Sequence, residues 1–182
     1  ISFFINMTDR KYIKYVIDEV VFREFPDEVT LALNISGCPN HCPGCHSSYL
    51  ANDIGTELTE DVLDKLINDN KGITCIGFMG GDNNPKEVVR LSMYVKEKYP
   101  NLHTGWYSGR EVFPLHHGTF DYIKLGPWKE ECGPLTSKTT NQVMYMKVDG
   151  GIDNPIFVDI TKKAFQSSKP WETDYLENND NV

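Results

Sequence analysis

Three cysteines within eight residues, Cys38-Pro-Asn-His-Cys42-Pro-Gly-Cys45, constrain this chain more than any other feature. Thiols packed that closely along the chain cannot cross-link distant parts of a fold, and a total of five cysteines cannot pair off completely. The C-x-x-x-C-x-x-C spacing instead lets three thiolates converge on one metal centre. It implies a reducing compartment, so a cytoplasmic protein is expected. Pro39, Pro43, Gly37 and Gly44 keep segment 37–48 out of regular structure, so a scaffold must present it as a loop.

The flanking sequence supplies such a scaffold. The β-branched and apolar run over 29–36 reads as a strand ending at Gly37. After the cysteine loop, Thr59 is a candidate N-cap for a helix with Glu60 and Asp61 in its first turn, and Val62, Leu63, Leu66 and Ile67 recur at helical spacing. Ile73–Met79 is apolar almost throughout, as a strand covered on both faces should be. A second helix follows, with Asn84 as its cap, Pro85 in its first position and Glu87 closing a capping box. Val88, Leu91, Ser92, Val95 and Tyr99 give it one inward face. Further strands are predicted over 102–108, 121–126, 143–148 and 156–161, with a short, weakly helical connection over 110–118. Strands alternating with helices predict an α/β fold with a mainly parallel sheet and right-handed crossovers.

Size and charge narrow the classes. The 182 residues suit one domain, taken as 1–170, with an acidic and poorly buriable tail over 171–182. The chain starts at Ile1 and reaches its first Met at position 7, which leaves residues 1–6 open to being non-native. A complete eight-fold βα barrel needs about 250 residues and does not fit. With 26 acidic and 18 basic side chains the net charge is −8, which argues against nucleic acid as a partner. No apolar stretch approaches the ~18 residues of a membrane span, so no membrane partner is expected either.

Three cysteines on a cubane 4Fe–4S cluster leave one iron without a protein ligand, since four thiolates are the usual complement. No fourth cysteine lies nearby in the sequence: Cys75 falls inside a predicted strand and Cys132 is far along the chain. Cys75 reads as a buried small hydrophobe and Cys132 as a loop thiol. The rival is a structural zinc site of Cys38, Cys42, Cys45 and an adjacent His41 or His46. Gly80-Gly81-Asp82 ends the strand one βα unit later, on the same rim as the cysteine loop, where ligands of parallel α/β sheets bind. Glycines there let backbone atoms approach a ligand closely, although a tight strand-to-helix turn would use the same pair.

Together, the cysteine loop and the Gly-Gly turn resemble the radical S-adenosylmethionine (SAM) superfamily. Within it, the chain resembles the activating proteins of anaerobic (class III) ribonucleoside-triphosphate reductases. The likeness runs over most of residues 20–150. It rests on the residues around the cysteines, Met79-Gly-Gly-Asp82, Trp106-Tyr-Ser-Gly109, Asp121-Tyr-Ile-Lys-Leu-Gly126, and Gly133-Pro-Leu-Thr-Ser-Lys-Thr-Thr-Asn-Gln142.

The resemblance implies a shortened, open radical-SAM partial barrel. Cys38, Cys42 and Cys45 would hold the 4Fe–4S cluster; Gly80, Gly81 and Asp82 the methionine end of SAM; Ser108 its carboxylate; and Gly44 and His46 would flank the adenine. Gly44 stands where the superfamily often has an aromatic residue, and Asp82 where it more commonly has Glu. The implied reaction is reductive cleavage of SAM, with an electron from a donor such as flavodoxin or ferredoxin. The resulting radical would abstract a hydrogen from a glycine of the partner reductase. A second enzymatic reading is a small radical SAM enzyme acting on a free molecule, such as one making a carboxylated deazaguanine. A third is a zinc-stapled interaction module. His41, His116 and His117 read as surface histidines, and Trp106, Tyr107 and Trp128 as packing aromatics that could line the opening.

Overall fold

The computed structural model describes residues 11–167, so the expectations for residues 1–6 and for an acidic tail at 171–182 lie outside the described residues. In chain order the elements are β1 (Lys14–Val21), β2 (Thr30–Ile35), β3 (Thr56–Glu57), α1 (Glu60–Asp69), β4 (Cys75–Met79), α2 (Pro85–Lys98), β5 (His103–Tyr107), β6 (Tyr122–Leu125), β7 (Val143–Asp149), β8 (Ile156–Asp159) and α3 (Thr161–Phe165). The strands form one sheet in the order β3-β1-β2-β4-β5-β6-β7-β8.

Neighbours pair in parallel through β2, β4, β5 and β6. Both flanks are antiparallel: β1 with β2 and β3 on one side, β7 with β6 and β8 on the other. The expected mainly parallel sheet is thus corrected to a mixed α/β sheet with a parallel centre. The reason is local. Parallel neighbours need a long crossover, and the connections over 22–29 before β2 and 150–155 before β8 are too short to make one, so those strands turn back antiparallel. The connection from β5 to β6 contains only a single 3-10 turn, His117–Thr119.

Period-2 alternation divides the central strands between two cores. Ile76, Phe78, Trp106, Ile123 and Leu125 face α1 and α2, where they meet Leu63, Leu66, Val88, Leu91 and Val95. Each such side chain contributes about 1.5–3 kcal/mol by leaving water. Cys75 and Tyr122 face the other way, against Phe25 from the β1–β2 connection, with Tyr107 packed partly buried against them. Phe25 stacks on Tyr122 at 5.2 Å and meets Tyr107 edge-on at 5.4 Å. It sits so close to the sheet that a Cβ on Gly105 would lie 2.2 Å from its ring.

Thr59 caps α1 as expected, accepting a bond from the Val62 amide at 3.3 Å. The capping box expected on α2 does not form. Asn84 reaches across to the Lys11 carbonyl at 2.7 Å, and Glu87 pairs with Arg90 at 2.8 Å. A tertiary acceptor and a cation outcompete the local cap. Among the described residues no helix is long and apolar enough to cross a membrane.

Candidate metal centre

The sheet presents its functional rim at the carboxyl ends of the four parallel strands. Main-chain bonds continue the parallel register past the strands: Gly80 N to Tyr107 O at 3.0 Å, Ser108 N to Lys124 O at 2.9 Å, and Gly126 N to Arg110 O at 2.7 Å. The segments after β4, β5 and β6 therefore emerge level with one another beside the loop that leaves β2.

That loop carries the cysteines. Its base is closed by Gly37 N to Asn52 O at 3.1 Å and Cys38 N to Leu50 O at 2.9 Å, with Leu50 buried beneath it. Two successive turns, Cys45 N to Cys42 O and Ser48 N to Cys45 O, both 3.2 Å, place Cys42 and Cys45 one turn apart. Gly44 between them has φ +71°, a left-handed conformation that costs a residue with a Cβ about 1–2 kcal/mol. Cys38, Cys42 and Cys45 are free and half-buried. Cys75 is also free but fully enclosed, and burial pushes its thiol well above the usual range. It also starts β4, five residues before Gly80 and so roughly 16 Å from the rim at 3.3 Å per residue. Among the described residues no three His, Cys, Asp or Glu side chains are already arranged to hold a single metal ion. His41 and His46 are both exposed.

Gly80 and Gly81 turn the chain off β4 with φ of +110° and +96°. A Cβ on Gly81 would lie 2.5 Å from Val88 Cγ2, so the turn fits against α2 only with glycine there. Asp82 follows, 2% exposed. Its Oδ1 accepts from Ser108 Oγ at 2.6 Å, and its Oδ2 from Asn40 Nδ2 at 2.7 Å and Gly109 N at 2.8 Å. Arg110 Nη2 donates to its carbonyl at 2.8 Å. The structure thus joins Asp82 and Ser108 directly. Both are held in a network that ties the cysteine loop, through Asn40, to the ends of β4 and β5.

Sequence reading missed Lys124. It lies on β6, 8% exposed, with Nζ donating to Gly126 O at 2.9 Å and Ser108 O at 3.4 Å. Burial pulls its pKa down to about 8, while Asp82 and the thiols of Cys42, Cys45 and Cys38 act in the opposite direction. All three thiols are therefore within electrostatic reach of one buried ammonium group, a natural counter-charge for an anionic thiolate centre. The available signal was a lysine at an inward position of an otherwise apolar strand. Asn40 was missed because, between two cysteines, it reads as an ordinary turn residue.

The aromatic candidates separate clearly. Trp106 is fully buried and donates its indole N–H to Gly80 O at 2.7 Å. Tyr107 bonds the Glu24 carbonyl at 2.9 Å, on the opposite face. Trp128, after β6, approaches the cysteine loop: a Cβ on Gly44 would lie 3.6 Å from its Nε1 and 3.1 Å from Glu130 Oε2. Its Nε1 is buried without a hydrogen-bond partner, as is Asn141 Oδ1.

The donor set suits an iron–sulfur cluster: three accessible thiols on a loop of fixed base, a buried lysine within their electrostatic reach, and an unmatched buried N–H at the loop. A family model described as 4Fe-4S single cluster domain matches residues 28–125, more than half of the chain. The match runs from just before β2 to the end of β6 and takes in every rim residue up to Lys124. It selects iron–sulfur over structural zinc. No curated protein and no solved structure matches the chain.

Proposed function

The chain belongs to the family of 4Fe-4S single cluster domains, and from that premise we propose that it is a radical SAM activase for an anaerobic ribonucleoside-triphosphate reductase. The observation that carries this reading is the ligand count at the rim. Cys38, Cys42 and Cys45 hold the cluster, and the other free cysteine of the sheet, Cys75, is walled off at its far end. With Cys132, free on the loop after β6, also outside the ligand set, one iron would be left for a small molecule to chelate. Held by Cys38, Cys42 and Cys45, the cluster would supply one electron, drawn from a flavodoxin- or ferredoxin-like donor, for cleavage of the C5′–S bond of SAM to methionine and a 5′-deoxyadenosyl group able to take a hydrogen from a glycine of the reductase.

The chain's own residues bind and orient. The Gly80-Gly81 turn would border the methionine end of SAM, its shape held by the bonds of Gly80 to Tyr107 O and Trp106 Nε1. Gly44 and His46, both exposed on the loop, flank the adenine. Asp82 and Ser108 fix the distance between the cysteine loop and this methionine site through their mutual bond and through Asn40. Lys124 offsets the negative charge of the thiolates. The sheet supports a protein substrate as well. Its edge strands β3 and β8 do not pair with each other, so the rim stays open on one side to an incoming loop.

Anaerobic reconstitution followed by incubation with SAM and dithionite tests the reading. The expected result is a brown protein that forms 5′-deoxyadenosine and, with the reductase added, a glycyl radical visible by electron paramagnetic resonance. Cys132→Ser should retain the cluster and SAM cleavage. A cluster lost in that variant would make Cys132 the fourth ligand and end the SAM proposal.

A further inference from the structure

Two tryptophans lie near the rim, and they differ in one respect. The indole N–H of Trp106 is matched by the Gly80 carbonyl at 2.7 Å. The indole N–H of Trp128 is as thoroughly removed from water and has no acceptor. A buried donor left unmade forfeits the bonds it had with water, and native structures hold few such groups. Its surroundings do not arise by accident of packing alone. Asn141 Nδ2 donates to the Pro127 carbonyl at 2.9 Å and so fixes the residue before Trp128. The indole edge lies where a side chain on Gly44 would project, between Cys42 and Cys45. Glu130 Oε2 approaches the same point without accepting the N–H.

We infer that Trp128 donates its indole N–H to a sulfur of the cluster held by Cys38, Cys42 and Cys45. This rests on the reading that those three cysteines are the cluster ligands. The acceptor has the right character. Thiolate and sulfide sulfurs of a cluster carry negative charge, accept N–H bonds, and gain basicity on reduction. A donor at that position therefore favours the reduced state, because hydrogen bonds to the sulfurs are among the determinants of cluster potential. Trp128 is a positioning and tuning residue on this account.

The test is a redox titration of the reconstituted protein, followed by electron paramagnetic resonance of the reduced cluster. Trp128→Phe keeps the ring and removes the donor. Its midpoint potential is expected to fall by about tenfold in the reduction equilibrium, about 59 mV for one electron. Pulsed measurements on wild-type protein grown with 15N-indole-labelled tryptophan should show a nitrogen coupling and an exchangeable-proton coupling, both lost in the variant. An unchanged potential in Trp128→Phe overturns the inference. Should that variant fail to take up iron, the labelled wild type decides: couplings support the bond and their absence overturns it. Couplings that arise only after SAM is added also overturn it, by assigning the N–H to the ligand. Failure of the underlying cluster reading is distinguishable, because the wild type would then stay colourless.

Discussion

The two ends of the parallel strands each hold a buried carboxylate in a network of donors, and the contrast between them separates support from chemistry. At the amino end Glu28 accepts from Thr74 Oγ1, from Tyr122 OH at 3.2 Å and from His103 Nδ1 at 2.5 Å. Its partners come from the starts of β5 and β6 and the residue before β4, and Phe25 fills the space beside them. At the carboxyl end Asp82 is as well bonded, but its partners include Asn40 on the cysteine loop. That end also carries left-handed glycines, a buried ammonium and an indole donor without an acceptor. Among the described residues, the amino end satisfies its carboxylate and leaves only one buried hydroxyl, Thr30 Oγ1, without a partner. The other is complete only with something added.

The largest expected effect separates the ends outright. Cys42→Ala should reduce both brown colour and 5′-deoxyadenosine formation to background. Cys75→Ala should leave both intact and lower stability by about 1 kcal/mol, measured by denaturant unfolding. Full SAM cleavage by Cys42→Ala would erase the contrast.

The paired carboxylates give a finer comparison. Asp82→Asn and Glu28→Gln should each cost about 1–3 kcal/mol, because each leaves buried donors facing an amide. Only Asp82→Asn should also hasten loss of iron to a chelator, since only Asp82 holds the cysteine loop. Equal chelation rates in the two variants would place the loop's support elsewhere.

Two smaller effects depend on pH. Lys124 titrates near 8 in the folded protein against 10.5 ordinarily. In that window the unfolded chain binds more protons, so stability of the cluster-free protein should climb as pH rises from about 8 to 10.5. Lys124→Met should lack this climb. His103 moves the other way: its bond to Glu28 raises its pKa above 6.5. Its stabilisation is therefore fully present below pH 6.5 and lost as pH rises through the raised value. His103→Gln should be less stable than wild type at low pH and converge with it at high pH. The difference should be the smallest of the set, because half of the imidazole faces water.

How far these ends were legible in the sequence depended on how local their causes are. The parallel strands, α1 with its Thr59 cap and the inward face of α2 follow from period and composition, and they stand close to where those signals put them. The cysteine loop and the Gly80-Gly81 turn were equally readable, since each is a short run of residue types with a strong conformational meaning. The antiparallel flank β1 was not, because Lys14–Val21 mixes β-branched residues with charges and stays largely exposed. Asn84 looked like a cap and instead bonds Lys11, seventy-three residues away, which no local pattern reveals. Asn40 and Lys124 were hidden for the same reason, and Trp128, legible as an aromatic that could line the opening, shows its unmatched N–H only in the fold. Their roles are set by neighbours that the fold alone supplies.

The fastening of the cysteine loop has one more consequence. Its closing bonds, Gly37 N to Asn52 O and Cys38 N to Leu50 O, are made by the main chain and involve no thiol. The sheet, with its own buried core beneath the loop, is therefore expected to keep its fold without iron, unlike small metal-stapled modules that collapse when stripped. Air that destroys the cofactor would silence the protein without unravelling it, and recovery becomes a matter of delivering iron and sulfide to a waiting socket.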